Sequence, residues 1–398
     1  MQTNTILVCG AGIAGPTLAF WLKRAGFSPT VLERAPALRS SGYVIDFWGI
    51  GYDIAEKMGL LPGILGEGYH VKELRVVDSR GHRISGFGTK VFDDLTAGRF
   101  VSIKRSDLSQ LILSKIADEC EVLFGDTVKA IDQQQDGTRV TFESGKKRRF
   151  DLVIGADGLH STVRRLAFGP QEIYEKHLGY TVAAFEVTGY RPRDEDVYVI
   201  YEQPGRQVGR FALHGDRTLF LFVLARDFGH SSYPHIVDAQ KWFLRDAFAK
   251  DEWEMPQILA ALDSCTEFYF DRVSQIRMDA WSRGRVGLIG DAAFCVSLLA
   301  GQGSALAMTA AYVLAEELDI ANGDYQAAFR RYEELLRPYI VGKQNAAMRF
   351  ASSFAPKTRL GLALRHLVMR TFRIPMIAKF AIGGDLVADQ LKLPQYTF

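Results

Sequence analysis

Residues 5–15 read Thr-Ile-Leu-Val-Cys-Gly-Ala-Gly-Ile-Ala-Gly, and residues 30–34 read Thr-Val-Leu-Glu-Arg. The apolar run before Gly10 predicts a buried parallel strand, and the apolar residues after Gly15 recur at helical spacing. A second predicted strand ends at Glu33, about twenty residues beyond the glycines. This order of strand, glycine-rich turn, helix, strand and acid is typical of a βαβ unit that binds a dinucleotide.

The glycines of this turn, the start of the helix and the final acid each have a physical role in binding a dinucleotide. Gly10 allows the tight turn, Gly12 lets the backbone approach a pyrophosphate, and Gly15 lets the helix pack closely on the strand. Ala14 lies at the helix N-terminus, whose free N–H groups favour an anion. Glu33 can accept a hydrogen bond from a ribose hydroxyl. The alternative is a glycine-rich turn of an α/β protein that binds no nucleotide.

Composition excludes several classes of function. The 398 residues carry a net charge of +2, which gives no electrostatic case for nucleic-acid binding. The four cysteines lie far apart, without the spacing of a metal site, and suit a reducing compartment. The first predicted strand begins too early for a signal peptide, and no apolar run is long enough for a transmembrane helix. We therefore expect a cytoplasmic protein, a monomer or weak dimer, with membrane contact not favoured.

The order of predicted elements indicates an α/β fold with an insertion. Alternating strand patterns rich in aromatic residues fill the middle of the chain, and a buried parallel strand returns at residues 285–289. We predict a Rossmann-like nucleotide domain interrupted by an antiparallel β-sheet domain for substrate, with helices at the C-terminus. The predicted domains are 1–171 with 276–340, then 172–275 for the sheet, and 341–398 for a C-terminal helical cap.

Two further motifs bring carboxylates to the ends of buried strands. Residues 151–164 read Asp-Leu-Val-Ile-Gly-Ala-Asp-Gly-Leu-His-Ser-Thr-Val-Arg, in which the strand delivers Asp157. Residues 284–293 read Gly-Arg-Val-Gly-Leu-Ile-Gly-Asp-Ala-Ala and deliver Asp291, with Ala-Gly-Gln-Gly following at 300–303. Ligands of α/β proteins bind at the carboxyl ends of the strands, so these motifs predict one shared site.

The three motifs, in this order, resemble those of the single-component flavin-dependent aromatic hydroxylases, which have the para-hydroxybenzoate hydroxylase fold. Arg-Ser-Asp-Leu at 105–108 is similar to that family's flavin-contacting arginine before a helix. The resemblance covers roughly residues 5 to 345. A tail containing Leu-Pro-Gln-Tyr looks like the tetracycline-inactivating branch.

The resemblance implies bound FAD, with NAD(P)H as a transient reductant. It also implies that O₂ reacts at the flavin and that a flavin hydroperoxide hydroxylates an aromatic or polyketide-like small molecule, tetracycline-type inactivation being one form. The chemistry would be borne by the flavin, so no catalytic side chain and no metal are expected. The implied cofactor-binding residues are Gly10, Gly12, Ala14, Gly15, Glu33, Arg34, Arg105, Asp157, Gly290, Asp291, Gly301, Gln302, Gly303 and Ser304.

Three positions depart from the pattern of the family. Phe294 replaces its usual histidine, Leu298 a proline near the reactive flavin carbon, and Ala305 an asparagine beside the flavin. One interpretation is a monooxygenase whose pocket is reshaped for a bulky apolar substrate. The other is an FAD-binding homologue that catalyses a non-redox step such as a cyclisation.

Substrate contacts are expected from the inserted sheet. A phenylalanine-rich sheet is commonly just core, and alternation alone does not say which face meets the ligand. An arginine in such a strand could hold a substrate enolate or carboxylate. The candidates are Tyr201, Arg210, Phe211, Phe220 and Phe222, together with Leu298.

The tail has leucines at helical spacing between basic residues over 357–388. Such a helix can lie on an anionic membrane, cover a substrate entrance, or dock with a solvated basic face. The membrane option corresponds to a third function, the hydroxylation of a quinone-like lipid.

Overall fold

A computed structural model describes most of the chain. The described residues are 4–38, 42–226, 233–265, 267–298 and 301–371, with 391, 393, 394 and 396. The strands are β1 (Thr5–Cys9), β2 (Ser28–Glu33), β3 (Val44–Trp48), β4 (Glu73–Val77), β5 (Arg83–Gly88), β6 (Phe100–Lys104), β7 (Glu121–Phe124), β8 (Val128–Gln134), β9 (Gly137–Phe142), β10 (Lys147–Phe150), β11 (Leu152–Gly155), β12 (Glu175–Thr188), β13 (Val197–Gln203), β14 (Arg206–Leu213), β15 (Arg217–Leu224), β16 (Phe268–Ile276), β17 (Ser282–Arg283) and β18 (Val286–Leu288).

Helices cover the sheets and form most of the C-terminal third. They are α1 (Ala14–Arg24), α2 (Ile50–Lys57), α3 (Leu61–Glu67), α4 (Lys90–Thr96), α5 (Arg105–Ser114), α6 (Thr162–Ala167), α7 (Val237–Phe248), α8 (Met255–Ser264), α9 (Asp291–Phe294), α10 (Gly303–Ile320), α11 (Tyr325–Phe354) and α12 (Arg359–Thr371).

The nucleotide-type sheet has the strand order β17-β18-β11-β1-β2-β7 and is parallel except for β17. The apolar runs that predicted its strands fill its centre, since Ile6, Leu7 and Val8 are fully buried. The register aligns Cys9 with Gly155. Because these are the last residues of β1 and β11, the turns that follow them lie side by side at one edge of the sheet.

The second large sheet confirms the predicted α/β fold with an inserted antiparallel sheet. Its order is β16-β12-β15-β14-β13-β4-β5, and only the β13–β4 pair is parallel. The β4–β5 hairpin comes from the first hundred residues, outside the 172–275 segment expected to form this sheet. Edge pairing with β13 satisfies the hairpin's backbone groups, which alternation within the hairpin does not reveal.

Successive residues of a strand point to opposite faces, so this sheet has two distinct surfaces. The outer face packs on α7 and α8. The inner face meets Tyr69 and Val71 at one side, and at the other Ala351 of α11 and Ala355, the residue after that helix. Only the inner face is directed towards the nucleotide-type sheet and its turns.

Helix α11 is one continuous element of 30 residues that passes through Pro338, where the sequence pattern predicts a break between two helices. Helix α12 follows and packs beside β5, and Met369 contacts Val76 and Phe87. The remainder of the predicted cap, residues 372–390, lies outside the described residues. Within the described part of the chain, no helix combines the length and apolarity needed to span a bilayer.

Helix α10 is almost fully buried and carries an acid in that environment. Glu316 is 2% exposed. Burial raises the pKa of Glu316 from 4.5 to about 7, with a hydrogen bond from Tyr312 and the charge of Lys57 opposing the shift. The neighbouring carboxylates Asp319 and Glu317 add to the increase.

A raised carboxyl pKa makes the folded state bind its proton more tightly than the unfolded state. The free energy of unfolding should therefore be greatest at low pH and fall as pH rises from about 4.5 to about 7. We expect Glu316→Gln to remove this decline and to stabilise the protein by on the order of 1–3 kcal/mol near pH 8. Urea unfolding across this pH range measures it. Glu119→Gln, at an exposed position, is the control, and equal slopes for all three proteins would contradict the prediction.

Candidate functional site

The turn after β1 requires glycine for steric reasons. Gly10 has a φ of +109°, and a Cβ there would lie 2.4 Å from the carbonyl oxygen of Ala156. A Cβ on Gly15 would lie 1.9 Å from the carbonyl oxygen of Gly10. The first turn of α1 is thereby held against the turn, with its N–H groups directed out of the edge of the sheet.

Glu33 ties the end of β2 to this turn. Its Oε2 accepts a hydrogen bond from the Ala11 N–H at 2.8 Å, and its Oε1 accepts one from the Ala35 N–H at 2.9 Å. A carboxylate has about four acceptor positions, so capacity for ribose hydroxyls remains. Arg34 follows with an exposed side chain.

A cation lies over the glycine turn. The Arg105 guanidinium is 3.7 Å from the position a Cβ on Gly12 would take, and it makes no side-chain hydrogen bond or ion pair with the described residues. Its charge opposes the burial that raises the pKa of Asp291. Arg105 is therefore a free bidentate donor between the N-terminus of α1 and the carboxylate of Asp291.

The N-terminus of α10 completes the arrangement. Gly290, at a φ of +59°, lets the turn after β18 approach Ala14 of α1 and Ala307 of α10. A Cβ on Gly303 would lie 3.9 Å from Asp291 Oδ1. Neither α1 nor α10 has a side-chain cap at its N-terminus. Gln302 is the N-cap residue of α10 and Gly303 is its first helical residue. Gly301 precedes Gln302, and Ser304 follows Gly303.

Along the edge of the sheet there follow one another two helix N-termini without a side-chain cap, an arginine without a side-chain partner among the described residues, and two acids. This donor set fits a long ligand with a diphosphate in its middle and hydroxyl groups on both sides, which is the chemistry of FAD.

A model of the FAD binding domain family matches residues 3–323. A "Flavin-dependent monooxygenase" from an unknown prokaryotic organism is 37% identical over 364 residues, covering 88% of this chain and 90% of the relative. The chain belongs to this family of FAD-dependent monooxygenases. A flavin-dependent monooxygenase of Legionella longbeachae is 34% identical over 98% of both chains. The crystal structure of tetracycline destructase Tet(51) superposes with a TM-score of 0.85 at 32% identity, covering 99% of this chain and 100% of that one.

In this monooxygenase, Arg105 offers a direct test of the cofactor site. We expect Arg105→Gln to weaken FAD binding about 10- to 100-fold, since a charge-assisted contact contributes roughly 1.5–3 kcal/mol. The stability of the FAD-free protein should change little because the guanidinium has no partner among the described residues. Fluorescence titration with FAD measures the affinity, and thermal unfolding of the apoprotein measures the stability. Arg139→Gln, on an exposed strand position, is the control. Unchanged FAD affinity would contradict the prediction.

Asp157 lies next to Gly10 but has partners of its own. Its carboxylate accepts hydrogen bonds from the Ser161 hydroxyl and from the Val163 N–H, the latter at 3.1 Å. Burial raises its pKa. The side chain braces the start of α6 against the glycine turn, and its contact with the cofactor stays a prediction.

The three departures from the family pattern have different surroundings. Phe294 lies in the core against Trp281, with ring centroids 4.7 Å apart, so its effect is on packing. Ala305 packs on α2, where a Cβ on Gly51 would lie 2.4 Å from the Ala305 Cα. Leu298 packs in the cluster formed by the inner face and α11.

A small cavity lies at the Gly301–Gln302 turn and contains a carboxylate that the sequence motifs did not single out. Asp46 lines it beside Trp48 and Ala305. Asp46 Oδ1 accepts a hydrogen bond of 2.5 Å from the Ser102 hydroxyl, and burial raises the pKa of Asp46. The available sequence signal was an acid inside a short, otherwise apolar strand.

The predicted substrate residues do not all face this site. Tyr201, Phe220 and Phe222 lie on the outer face, buried against α7 and α8. Arg210 also points outward, where it pairs with Asp194 at 2.5 Å. The expectation that these four side chains contact the substrate is therefore corrected, because α7 and α8 cover the outer face.

Phe211 has the opposite orientation. Its ring lies 5.2 Å from that of Tyr69 on the inner face. The inner face is also where Leu298 packs.

A row of residues crosses the inner face between two covered rows. One covered row meets Lys104, whose Nζ is 2.7 Å from Glu186 Oε1, and the other meets Arg365, whose Nη1 is 2.8 Å from Glu202 Oε2. The residues of the row between them are half-buried, apart from one alanine that is buried. We call this the floor row; its members are Ile200, Gly209, Leu221, Ala184 and Tyr269, neighbours in the strand registers.

The Tyr269 end of the floor row reaches the cofactor site of this monooxygenase. The centroid of the Tyr269 ring is 6.0 Å from that of Tyr43. The backbone carbonyl of Tyr43 accepts a hydrogen bond from the backbone N–H of Arg105 at 3.1 Å. Beyond the other end, two strands further across the sheet, a series of neighbouring rings runs from β5 to Trp48, which lies 3.8 Å from the Cβ position of Gly301. Those rings are Phe87, Phe92 and Phe100.

Proposed function

We propose that this monooxygenase uses NAD(P)H and O₂ to hydroxylate an aromatic or polyketide-like molecule lying on the floor row. The observation that carries the proposal is the contact of Tyr269, at one end of the floor row, with Tyr43, whose carbonyl accepts from the backbone N–H of Arg105. Bound FAD would supply the transfer of two electrons from the nicotinamide and the activation of O₂, with one oxygen atom entering the substrate and the other leaving as water.

The residues of the chain supply position and exclusion of water. The apolar floor row and the packed side chains around it would hold a ring system in a poorly hydrated cleft, which protects reactive oxygen species from water. The N-terminus of α10, beside Gly301, favours negative charge on a neighbouring group. The domain assignment from sequence is retained as part of the proposal, with residues 73–88 added to the substrate sheet.

Asp46 is proposed as the group that holds a substrate hydroxyl. Its Oδ1 accepts from Ser102, while Oδ2 makes no hydrogen bond with the described residues. Ionised Asp46 can therefore accept a proton at Oδ2 from a phenol or enol of the ligand. Its raised pKa places its titration closer to neutrality than that of an ordinary aspartate.

We expect Asp46→Asn to lower kcat for a phenolic substrate about 100-fold while FAD binding is retained. The wild-type rate should fall as pH decreases through the raised pKa of Asp46, because the protonated acid cannot accept, and the variant should lack this fall. Steady-state rates against pH measure both effects. Asp118→Asn, at an exposed site, is the control. A variant with the wild-type pH profile would rule out this role.

Anaerobic mixing with NADH or NADPH tests the overall proposal. The panel comprises phenols, naphthols and tetracycline; the last is included because Tet(51) is named a tetracycline destructase. The expected result is loss of the visible flavin absorbance, stimulated by at least one ligand, and gain of one oxygen atom in that ligand after O₂ is admitted. Absence of bleaching under every ligand would overturn the proposal and favour the non-redox function.

A second candidate function, the hydroxylation of a quinone-like lipid at a membrane surface, has one observation in its favour. Four apolar side chains of α12 are exposed beside the basic residues Lys357 and Arg359, which suits a lipid surface. Co-sedimentation with anionic liposomes, with Leu364→Ser as the comparison, tests it. If the wild-type protein does not sediment with liposomes, the proposal of a cytoplasmic monomer or weak dimer stands in place of this function. Sedimentation velocity would measure the oligomeric state. The four side chains are Leu360, Leu364, Leu367 and Val368.

A further inference from the structure

Gly209 occupies the centre of the inner face, in the middle of β14. Glycine inside a strand weakens it, because the residue has more freedom to lose and no side chain to pack. Gly209 has no left-handed φ, and among the described residues a Cβ there would meet only the Leu221 carbonyl oxygen, at an ordinary 3.7 Å. Neither backbone strain nor lack of space therefore requires glycine. A glycine of this kind marks a place where another molecule approaches the backbone.

The registers define the shape of the surface around it. Gly209 lies between Ile200 and Leu221, and Ala184 lies beyond Leu221. Neighbouring strands are about 4.8 Å apart, so the floor row from Ile200 to Tyr269 extends about 19 Å across the sheet. Two of its five positions, Gly209 and Ala184, have little or no side chain, which leaves a low place in the surface on either side of Leu221.

The two covered rows limit the space that a ligand can occupy along the strands. On β14 the inner-face neighbours of Gly209 are Gln207, which accepts from Arg365 at 3.2 Å, and Phe211, which stacks on Tyr198. These residues are about 13 Å apart, at 3.3 Å per residue. A ligand on the floor row therefore lies across the strands, in a long slot that is narrow along them.

We propose that Gly209 sets the size class of the substrate, admitting flat molecules of several fused rings that lie across β13, β14, β15 and β12. This inference rests on the proposed function for the identity of the cleft. It names Gly209 as a specificity-determining residue. A branched side chain at this position would raise the surface continuously from Ile200 to Leu221 and leave Ala184 as the one low position of the floor row, with room for a single ring.

Equilibrium dialysis against phenol, 2-naphthol, 2-anthracenol and tetracycline tests the inference in the FAD-loaded protein without NAD(P)H. We expect Gly209→Leu to weaken binding of the three- and four-ring ligands about tenfold or more, while phenol changes less than about threefold. Gly209→Ala should give a smaller change in the same order. Gly342→Leu places the same side chain at an open position of α11, where no described atom lies within 4 Å, and should have no effect.

Equal losses for all ligands, unchanged binding, or a wild-type protein that binds none of the fused-ring ligands would overturn the inference. FAD content and the unfolding midpoint show whether Gly209→Leu folds, and Gly209→Ala decides the matter if it does not. Because dialysis needs no turnover, size-selective binding without NAD(P)H oxidation would contradict the proposed function alone. Turnover of fused-ring ligands that Gly209→Leu leaves intact would contradict this inference alone.

Discussion

Gly15→Ala is expected to abolish stable FAD binding. The added Cβ would lie 1.9 Å from the Gly10 carbonyl oxygen, which is backbone and cannot rotate away. Relief requires α1 to move off the glycine turn, at a cost of about 3 kcal/mol or more. Since each 1.4 kcal/mol corresponds to a factor of ten, the affinity for FAD should fall at least about 100-fold.

Bound flavin per protein after gel filtration measures this loss, and chemical unfolding of the apoprotein measures the accompanying change in stability. Gly66→Ala is a matched control, because Gly66 lies in α3 with no described atom within 4 Å of its Cβ position. It should retain its flavin and gain up to about 1 kcal/mol from improved helix propensity. Normal flavin content in Gly15→Ala would show that α1 can shift without affecting the site.

Glu202→Ala is expected to release α12 from the inserted antiparallel sheet. The Glu202 side chain is 2% exposed and is held by Arg365 and His366 of α12. Removing this acid leaves the Arg365 guanidinium with neutral acceptors alone among the described residues, the Gln207 side chain and the Phe354 carbonyl. Breaking a buried ion pair in this way costs about 3–5 kcal/mol. The free energy for local opening of α12 should fall by that amount, and Glu202→Gln, which keeps an acceptor oxygen, should lose less.

Hydrogen exchange of the backbone amides over 359–371 measures the opening. Glu195→Ala provides the comparison, since Glu195 is 66% exposed and its pair with Arg193 contributes about 0–1 kcal/mol. Unchanged protection of α12 in Glu202→Ala would mean that packing of Met369 and its neighbours holds the helix without the ion cluster.

The parts of the site that depend on local geometry were predictable from sequence. Gly10, Gly15 and Glu33 belong to one βαβ unit, and their spacing determines their relative positions once strand and helix form. Asp291 was predictable for the same reason, because a buried strand has to end at the edge where the other strands end. Arg105 depended on family resemblance, since nothing local places it over Gly12.

The orientation of the inserted sheet was not predictable from alternation. Both faces of β15 are apolar, and Phe220 and Phe222 point outward only because α7 and α8 cover that face. The signal for the side on which we propose the ligand was the weaker one: Gly209 and Ala184, which have little or no side chain. Asp46 was overlooked because the groups that surround its carboxylate, Ser102 on β6 and the Gly301 turn, are both distant in sequence.

The hairpin of β4 and β5 has a consequence for synthesis of the chain. Glu73 pairs with Val197, so the free edge of β4 has no partner until the chain has grown by more than a hundred residues. Pairings of such large sequence separation form slowly, and an open strand edge can recruit strands of other molecules meanwhile. A nascent chain halted before β13 therefore presents an aggregation-prone edge, and its solubility should recover once residues 197–203 have left the ribosome.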